Sequence, residues 1–270
     1  FYWRRFLSFS WRGGVLNYML LCIDSGNTNI VFAIFDDNDK MRQQWRISSS
    51  PNRTSDEFEV LLGQLMLSSN IKVGDIKACI IASVVPASLN SLKSLSREYF
   101  SCEPKVVGEP GVVLGIEVKV ERPNDVGADR LVNAISAFQK YKCPMVIIDF
   151  GTATTFDVID MDGNYIGGVI APGVNLSLEA LHMAAAQLPR VDIKRTTSVT
   201  GKNTIEAMQS GVYWGYIGLI EGLVNRLAEE HDNNIAVIAT GGLAGLFKES
   251  TECIAFSDPD LTIRGLLYIY

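Results

Sequence analysis

VIIDFGTATTFDVIDMDGNYIGGVIA, residues 146–171, holds three apolar runs separated by two turns. An apolar run enters Asp149, Gly151 turns the chain, and a second apolar-alternating run follows. Asp162-Gly163-Asn164 is a hairpin turn into a third run. The same grammar appears earlier. LLCIDS (20–25) runs into Asp24, and Gly26-Asn27-Thr28-Asn29 turns the chain. IVFAIFDD and MRQQWRI then read as second and third strands. The two turns align as D-S-G-N-T-N and D-F-G-T-A-T. A repeated supersecondary unit implies a fold of two equivalent halves.

Helix–strand alternation follows each copy. In the first half Ser55–Leu67 reads as a helix with Asp56 and Glu57 at its positive end, KACIIASVV as a buried strand, Pro86–Phe100 as a helix and PKVVG as a short strand. In the second half helices are expected over Gly173–Ala186, 203–230, 242–250 and 261–270, with IAVIATGG as a buried strand. Three antiparallel strands plus crossover strands imply α/β architecture: two mixed sheets flanked by helices. The expected domains are 19–126 and 127–270.

Composition fits a globular protein. The 270 residues are 47% apolar and 20% charged with net charge −6, unlike a disordered chain. Five cysteines without a CxxC pair exclude a disulfide scaffold and suggest a reducing cytoplasm. No apolar run reaches the ~18–20 residues of a membrane span. The acid excess argues against nucleic acid as a partner. The segment 1–18 differs, with Arg4, Arg5 and Arg12 among aromatics and no acid. It reads as an N-terminal extension outside the fold, although a membrane-surface helix has the same composition. Without it the charge is −9, from 21 bases and 30 acids. Two histidines leave little material for a zinc site or a Ser-His-Asp triad. Carboxylates, hydroxyls, backbone amides and bound ions must carry the chemistry.

Asp24–Asn29 fits an ordinary hairpin with turn-forming Gly and Asn. It also fits a nest of backbone N–H groups for phosphate, with Asp24 suited to a hydrated Mg²⁺. The second copy, Asp149 to Thr152, shifts the reading toward phosphate. Gly127-Ala128-Asp129-Arg130 opens a helix at the junction of the halves. Asp129 there is a helix cap or a proton acceptor for a substrate hydroxyl, and Arg130 is a fork for a carboxylate or phosphate. Thr240-Gly241-Gly242 is a tight turn or a close approach for a nucleotide. Gly211, Gly215, Gly218 and Gly222 share one face of the long helix, implying a tight contact with the core or a second subunit. Thr204 is expected to cap that helix or to project into a site.

Six motifs in order cover residues 19–270: Asp24–Asn29, Pro123–Arg130, Asp149–Thr154, Gly167–Gly173, Thr200–Thr204 and Thr240–Gly242. Together they resemble type III pantothenate kinase. The resemblance implies duplicated ribonuclease-H-like (actin-like ATPase) domains around an interdomain cleft. It implies transfer of the ATP γ-phosphate to the 4′-hydroxyl of pantothenate, the first step of coenzyme A biosynthesis, by a homodimer. Carried over, Asp24, Ser25, Gly26, Asn27, Thr28, Asn29, Ile30, Val31 and Thr152 bind ATP. Gly241 and Gly242 join that set on their turn chemistry. Asp129 is the catalytic proton acceptor; Gly127, Ala128, Asp129, Arg130 and Thr204 bind pantothenate. Asp149 holds a monovalent cation, K⁺ or NH₄⁺. Val120 departs from the pattern, where some members carry a substrate-contacting Tyr. A phosphohydrolase or a non-catalytic transcriptional accessory protein of the same superfamily is the alternative.

Overall fold

The computed structural model describes residues 18–184, 188–231 and 235–270. All but the last residue of the expected extension lies outside them. The first half runs β1 (Met19–Ser25), β2 (Asn29–Phe35), β3 (Met41–Ser48), α1 (Ser55–Ser68), β4 (Ile76–Ser83), α2 (Pro86–Glu98) and β5 (Lys105–Val106). The second runs α3 (Ala128–Tyr141), β6 (Met145–Phe150), β7 (Ala153–Ile159), β8 (Tyr165–Pro172), α4 (Val174–Ala184), α5 (Thr204–Glu230), β9 (Ala236–Gly241), α6 (Ala244–Lys248), β10 (Phe256–Ser257) and α7 (Leu261–Ile269).

Each half has a five-stranded mixed sheet. The orders are β3-β2-β1-β4-β5 and, read from the other edge, β8-β7-β6-β9-β10. In both, a three-stranded antiparallel meander continues into parallel strands. The expected duplication is therefore present strand for strand. Only the two-residue β10 escaped the sequence reading, being too short to show a period.

β1 is apolar from Met19 to Ile23 because both faces of its sheet are covered there. Leu21 and Ile23 pack with Phe58, Leu62 and Met66 of α1, which recur every fourth residue. A capping box of Thr54 and Glu57 starts that helix. Leu20 and Cys22 face the other way, onto Val132 of α3 and Ile263, Leu266 and Leu267 of α7. The C-terminal helix thus crosses back onto the first sheet. Residues 117–119 bond to Tyr165, joining the second sheet before α3 begins.

The cap of α5 differs from expectation. Its cap is Asn203, whose side chain accepts from the Glu206 N–H at 2.9 Å; Thr204 is the first helical residue and is exposed. The short Asn side chain one position earlier has the extended backbone that a cap needs. The glycine stripe makes no tight contact with the described core. Nothing lies within 4 Å of an added Cβ at Gly211, Gly215 or Gly218, and Gly222 meets only Arg226 of its own helix, at 3.3 Å.

Candidate active site

The cleft between the sheets has a volume of about 690 Å³, within the size range of small-ligand sites. Strand register builds its floor. Asp24 pairs with Val31, and Val31 with Arg46, so these side chains share one face of the first sheet. In the second sheet Asp149 pairs with Thr155 on one side and Thr240 on the other. All six residues line the cleft.

The two glycine turns meet across it. Gly26 N–H donates to Asn29 O and Gly151 N–H to Ala153 O, both at 3.0 Å. The hydroxyls of Thr28 and Thr152, 124 residues apart, lie 2.8 Å from each other. Gly173 lets α4 start directly against the second turn: a Cβ there would sit 2.1 Å from Thr152 O. Gly241 has φ +86°, and its Cβ would fall 2.6 Å from both Asp149 Oδ1 and Phe150 O. Only glycine leaves this oxygen-lined space open.

Helix α3 delivers two groups one turn apart, since residues i and i+4 share a face. Asp129 sits in its first turn and lines the cleft. Its Oδ1 accepts the Arg130 N–H at 2.8 Å, so the carboxylate does serve the helix start. Asn133, fully buried, donates to Asp149 Oδ2 at 3.0 Å and accepts from Thr262 at 2.7 Å. A chain α7–α3–β6 thereby fixes the Asp149 carboxylate.

Three carboxylates share this space, and their acidity reflects it. Burial, then the charges of Asp129 and Asp149, push Asp24 up to about 7, against a smaller pull from Arg46. Burial and the Asp129 charge push Asp149 up to about 7, against the Asn133 hydrogen bond. Burial raises Asp129 as well. Such a cluster favours bound cations. No set of three His, Cys, Asp or Glu side chains among the described residues could hold a metal by itself.

Of the expected site residues, Asp24, Gly26, Asn27, Thr28, Asn29, Val31, Asp129, Asp149, Thr152, Gly241 and Gly242 line the cleft. Ser25 and Ile30 pair with each other one step along the strands and are fully buried on the opposite face. Gly127, Ala128, Arg130 and Thr204 are not in the lining. Arg130 is committed to Asp157: Nε and Nη2 lie 2.7 and 2.6 Å from Asp157 Oδ1. Tyr165 donates to the same oxygen at 2.9 Å, and Thr155 to the other at 3.2 Å. Val120 packs beside Tyr165, Leu131 and Ile147, away from the cleft.

Sequence reasoning missed Gln44, Arg46, Asn133, Thr155, Asp157, Asn175, Glu179 and Thr262. Two signals were available. Asn133 lies four residues after Asp129, and Gln44 and Arg46 alternate on a strand whose register to Asp24 the hairpin turns determine.

The family model for type III pantothenate kinase matches residues 20–226. The type III pantothenate kinase of Paramagnetospirillum magneticum is 60% identical over 252 residues, covering 93% of this chain and 96% of that protein. That of Rhodospirillum rubrum is 61% identical over 252 residues, covering 93% and 98%. Among solved structures, a conserved putative Baf family transcriptional activator from Campylobacter jejuni aligns with TM-score 0.57 at 18% identity, covering 92% of this chain and 96% of that one. A putative 2-dehydro-3-deoxygalactonokinase from Sinorhizobium meliloti aligns with TM-score 0.58 at 14% identity, covering 93% and 95%. At such identities these two structures establish the shared fold alone. The sequence relatives and the matched family model go further: this chain belongs to the type III pantothenate kinase family.

Proposed function

We infer that this chain phosphorylates the 4′-hydroxyl of pantothenate with ATP, opening coenzyme A synthesis. The observation that carries the reading is the meeting of two glycine turns beside three convergent carboxylates. Backbone N–H groups and the hydroxyls of Thr28 and Thr152 suit the phosphates; Gly241 and Gly242 leave room for the nucleoside. Asp129 takes the substrate proton, lining the cleft with a raised affinity for protons. Asp24 would hold Mg²⁺ together with the phosphates, and Asp149 a monovalent cation beside the Phe150 carbonyl. These ions neutralise phosphate charge when bound. The protein's own part is positioning and charge placement. General-base help is worth ~10²–10⁴-fold, so Asp129→Ala should lower turnover by about that factor with the melting temperature kept. Near-parental turnover would remove Asp129 from the role.

The halves are 19–126 and 127–270, with α7 bridging them. Among the described residues no helix is long and apolar enough to cross a membrane. Five cysteines without disulfides support a reducing cytoplasm. A homodimer is supported by the uncovered glycine face of α5, a surface on which a second backbone could pack closely. The substrate role of Thr204, which lies outside the single-chain cleft, goes with that dimer. Sedimentation as a monomer at assay concentration would overturn both.

A further inference from the structure

We propose that Arg46 is the protein's cation for the transferring phosphoryl group, held over it by β3. The proposal rests on the kinase reading above.

The placement follows from strand register. Val31 stands between Asp24 and Arg46 in one line across three strands. Backbones two strands apart are roughly 9–10 Å from each other. A long Arg side chain therefore reaches toward the space above Asp24 without leaving its strand. Arg46 lines the cleft and is the only Lys or Arg among the described lining residues, which also include Asp24, Asp129, Asp149 and Glu179. Its guanidinium makes no hydrogen bond or ion pair among the described residues. The neighbouring arginines are engaged: Arg42 with Asp36, Arg53 with the Ser48 carbonyl and Arg130 with Asp157.

A second observation points to a ligand at the same place. Gln44, two residues earlier on the same face, also lines the cleft, and its side-chain Oε1 is buried without a partner. A buried acceptor without a partner is uncommon and asks for a donor. Waters around a bound phosphate chain and its cation supply one. The duplication supplies an internal comparison. In the second sheet Asp149 pairs with Thr155 and Thr155 with Ile170, so Ile170 occupies the position equivalent to Arg46. Ile170 is 64% exposed and carries no charge. The first half alone therefore brings a cation into line with its carboxylate, Asp24, in the cleft where phosphoryl transfer needs charge stabilisation.

Binding and turnover of Arg46→Ala and Arg46→Lys test this. In Arg46→Ala, affinity for a non-hydrolysable ATP analogue should fall at least tenfold while AMP affinity stays within twofold. Turnover should fall about 10²–10³-fold with the KM for pantothenate within threefold. Added guanidinium ion should restore part of the Arg46→Ala rate, which a structural role would not permit. Arg46→Lys should keep the fold and regain only part of the loss, because Lys lacks the planar fork. Arg42→Ala, whose partner is Asp36, should behave as the parent. Equal weakening of analogue and AMP, turnover within threefold of the parent, or no guanidinium rescue would overturn the proposal. The analogue measurement needs no pantothenate, so it fails or succeeds independently of the substrate assignment. If Arg46→Ala does not fold, parental analogue affinity in Arg46→Lys decides against the proposal and a loss decides for it.

Discussion

Replacing Gly173 by alanine adds one methyl group at the joint between β8 and α4. That Cβ would stand 2.1 Å from Thr152 O, 2.7 Å from Thr152 C and 2.8 Å from Gly151 O. All three atoms are backbone, so no side chain can swing aside. Moving the nearest oxygen to a tolerable 3.0 Å requires a displacement of about 0.9 Å. The chain that must move is the second glycine turn, whose Thr152 hydroxyl lies 2.8 Å from Thr28. A misplacement of about 1 Å in a positioned site costs ~10²-fold in rate. Overpacking of this kind costs ~1–3 kcal/mol of stability, or roughly 2–12 °C in melting temperature. Gly173→Ala should therefore lose about 10²-fold in turnover while remaining folded. The measurement is coupled ADP release at saturating ATP and pantothenate, with a thermal melt on the same sample. Gly245→Ala is the control, since nothing lies within 4 Å of its added methyl. Turnover of Gly173→Ala within twofold of the parent would refute the claim that this turn sets the phosphate position.

Two further outcomes follow from buried charge. Asp157 is fully buried and holds Arg130. Asp157→Asn leaves that guanidinium uncompensated, at a cost of ~3–5 kcal/mol, and should lower the melting temperature by roughly 6–20 °C. Adding Arg130→Gln should recover part of the loss; a single-mutant shift under 3 °C would contradict the buried-pair account. The apo chain should also lose stability as pH rises from about 5 to 8. In that window folded Asp24 and Asp149, both near 7, still hold protons that unfolded carboxylates have released. Asp258, lowered by Lys140 and Arg264 against its burial, contributes the opposite sign but is fully ionised below this window. Mg²⁺ with K⁺ should raise the melting temperature more at pH 8 than at pH 5. Melts that rise with pH and ignore the cations would contradict the three-carboxylate cluster.

The sheet-forming half of the fold was legible because it is written twice. The D-x-G turns delimit strands whose apolar runs have no competing period, and both meanders formed where read. Short or unpatterned pieces were not legible, as with β10. Asn203 and Thr204 are both good capping types, and sequence alone did not choose between them. Of the cleft lining, the residues within turns were legible because glycine and Asp punctuate them. Arg46 and Gln44 were missed because MRQQWRIS carries no turn chemistry. Their meaning appears only once register aligns them with Asp24. Arg130 was read as free for substrate because its partner Asp157 is distant in sequence. The glycine stripe implied a contact that the chain's own core does not make.

In the proposed reaction the cleft joins ATP to pantothenate through Asp129 and cation-loaded carboxylates. Its most direct test is coupled ADP release with and without pantothenate, each with and without K⁺ or NH₄⁺, in Mg²⁺ throughout. ADP release should need pantothenate and rise strongly with the monovalent cation. Equal ADP release without pantothenate would contradict it and favour a phosphohydrolase.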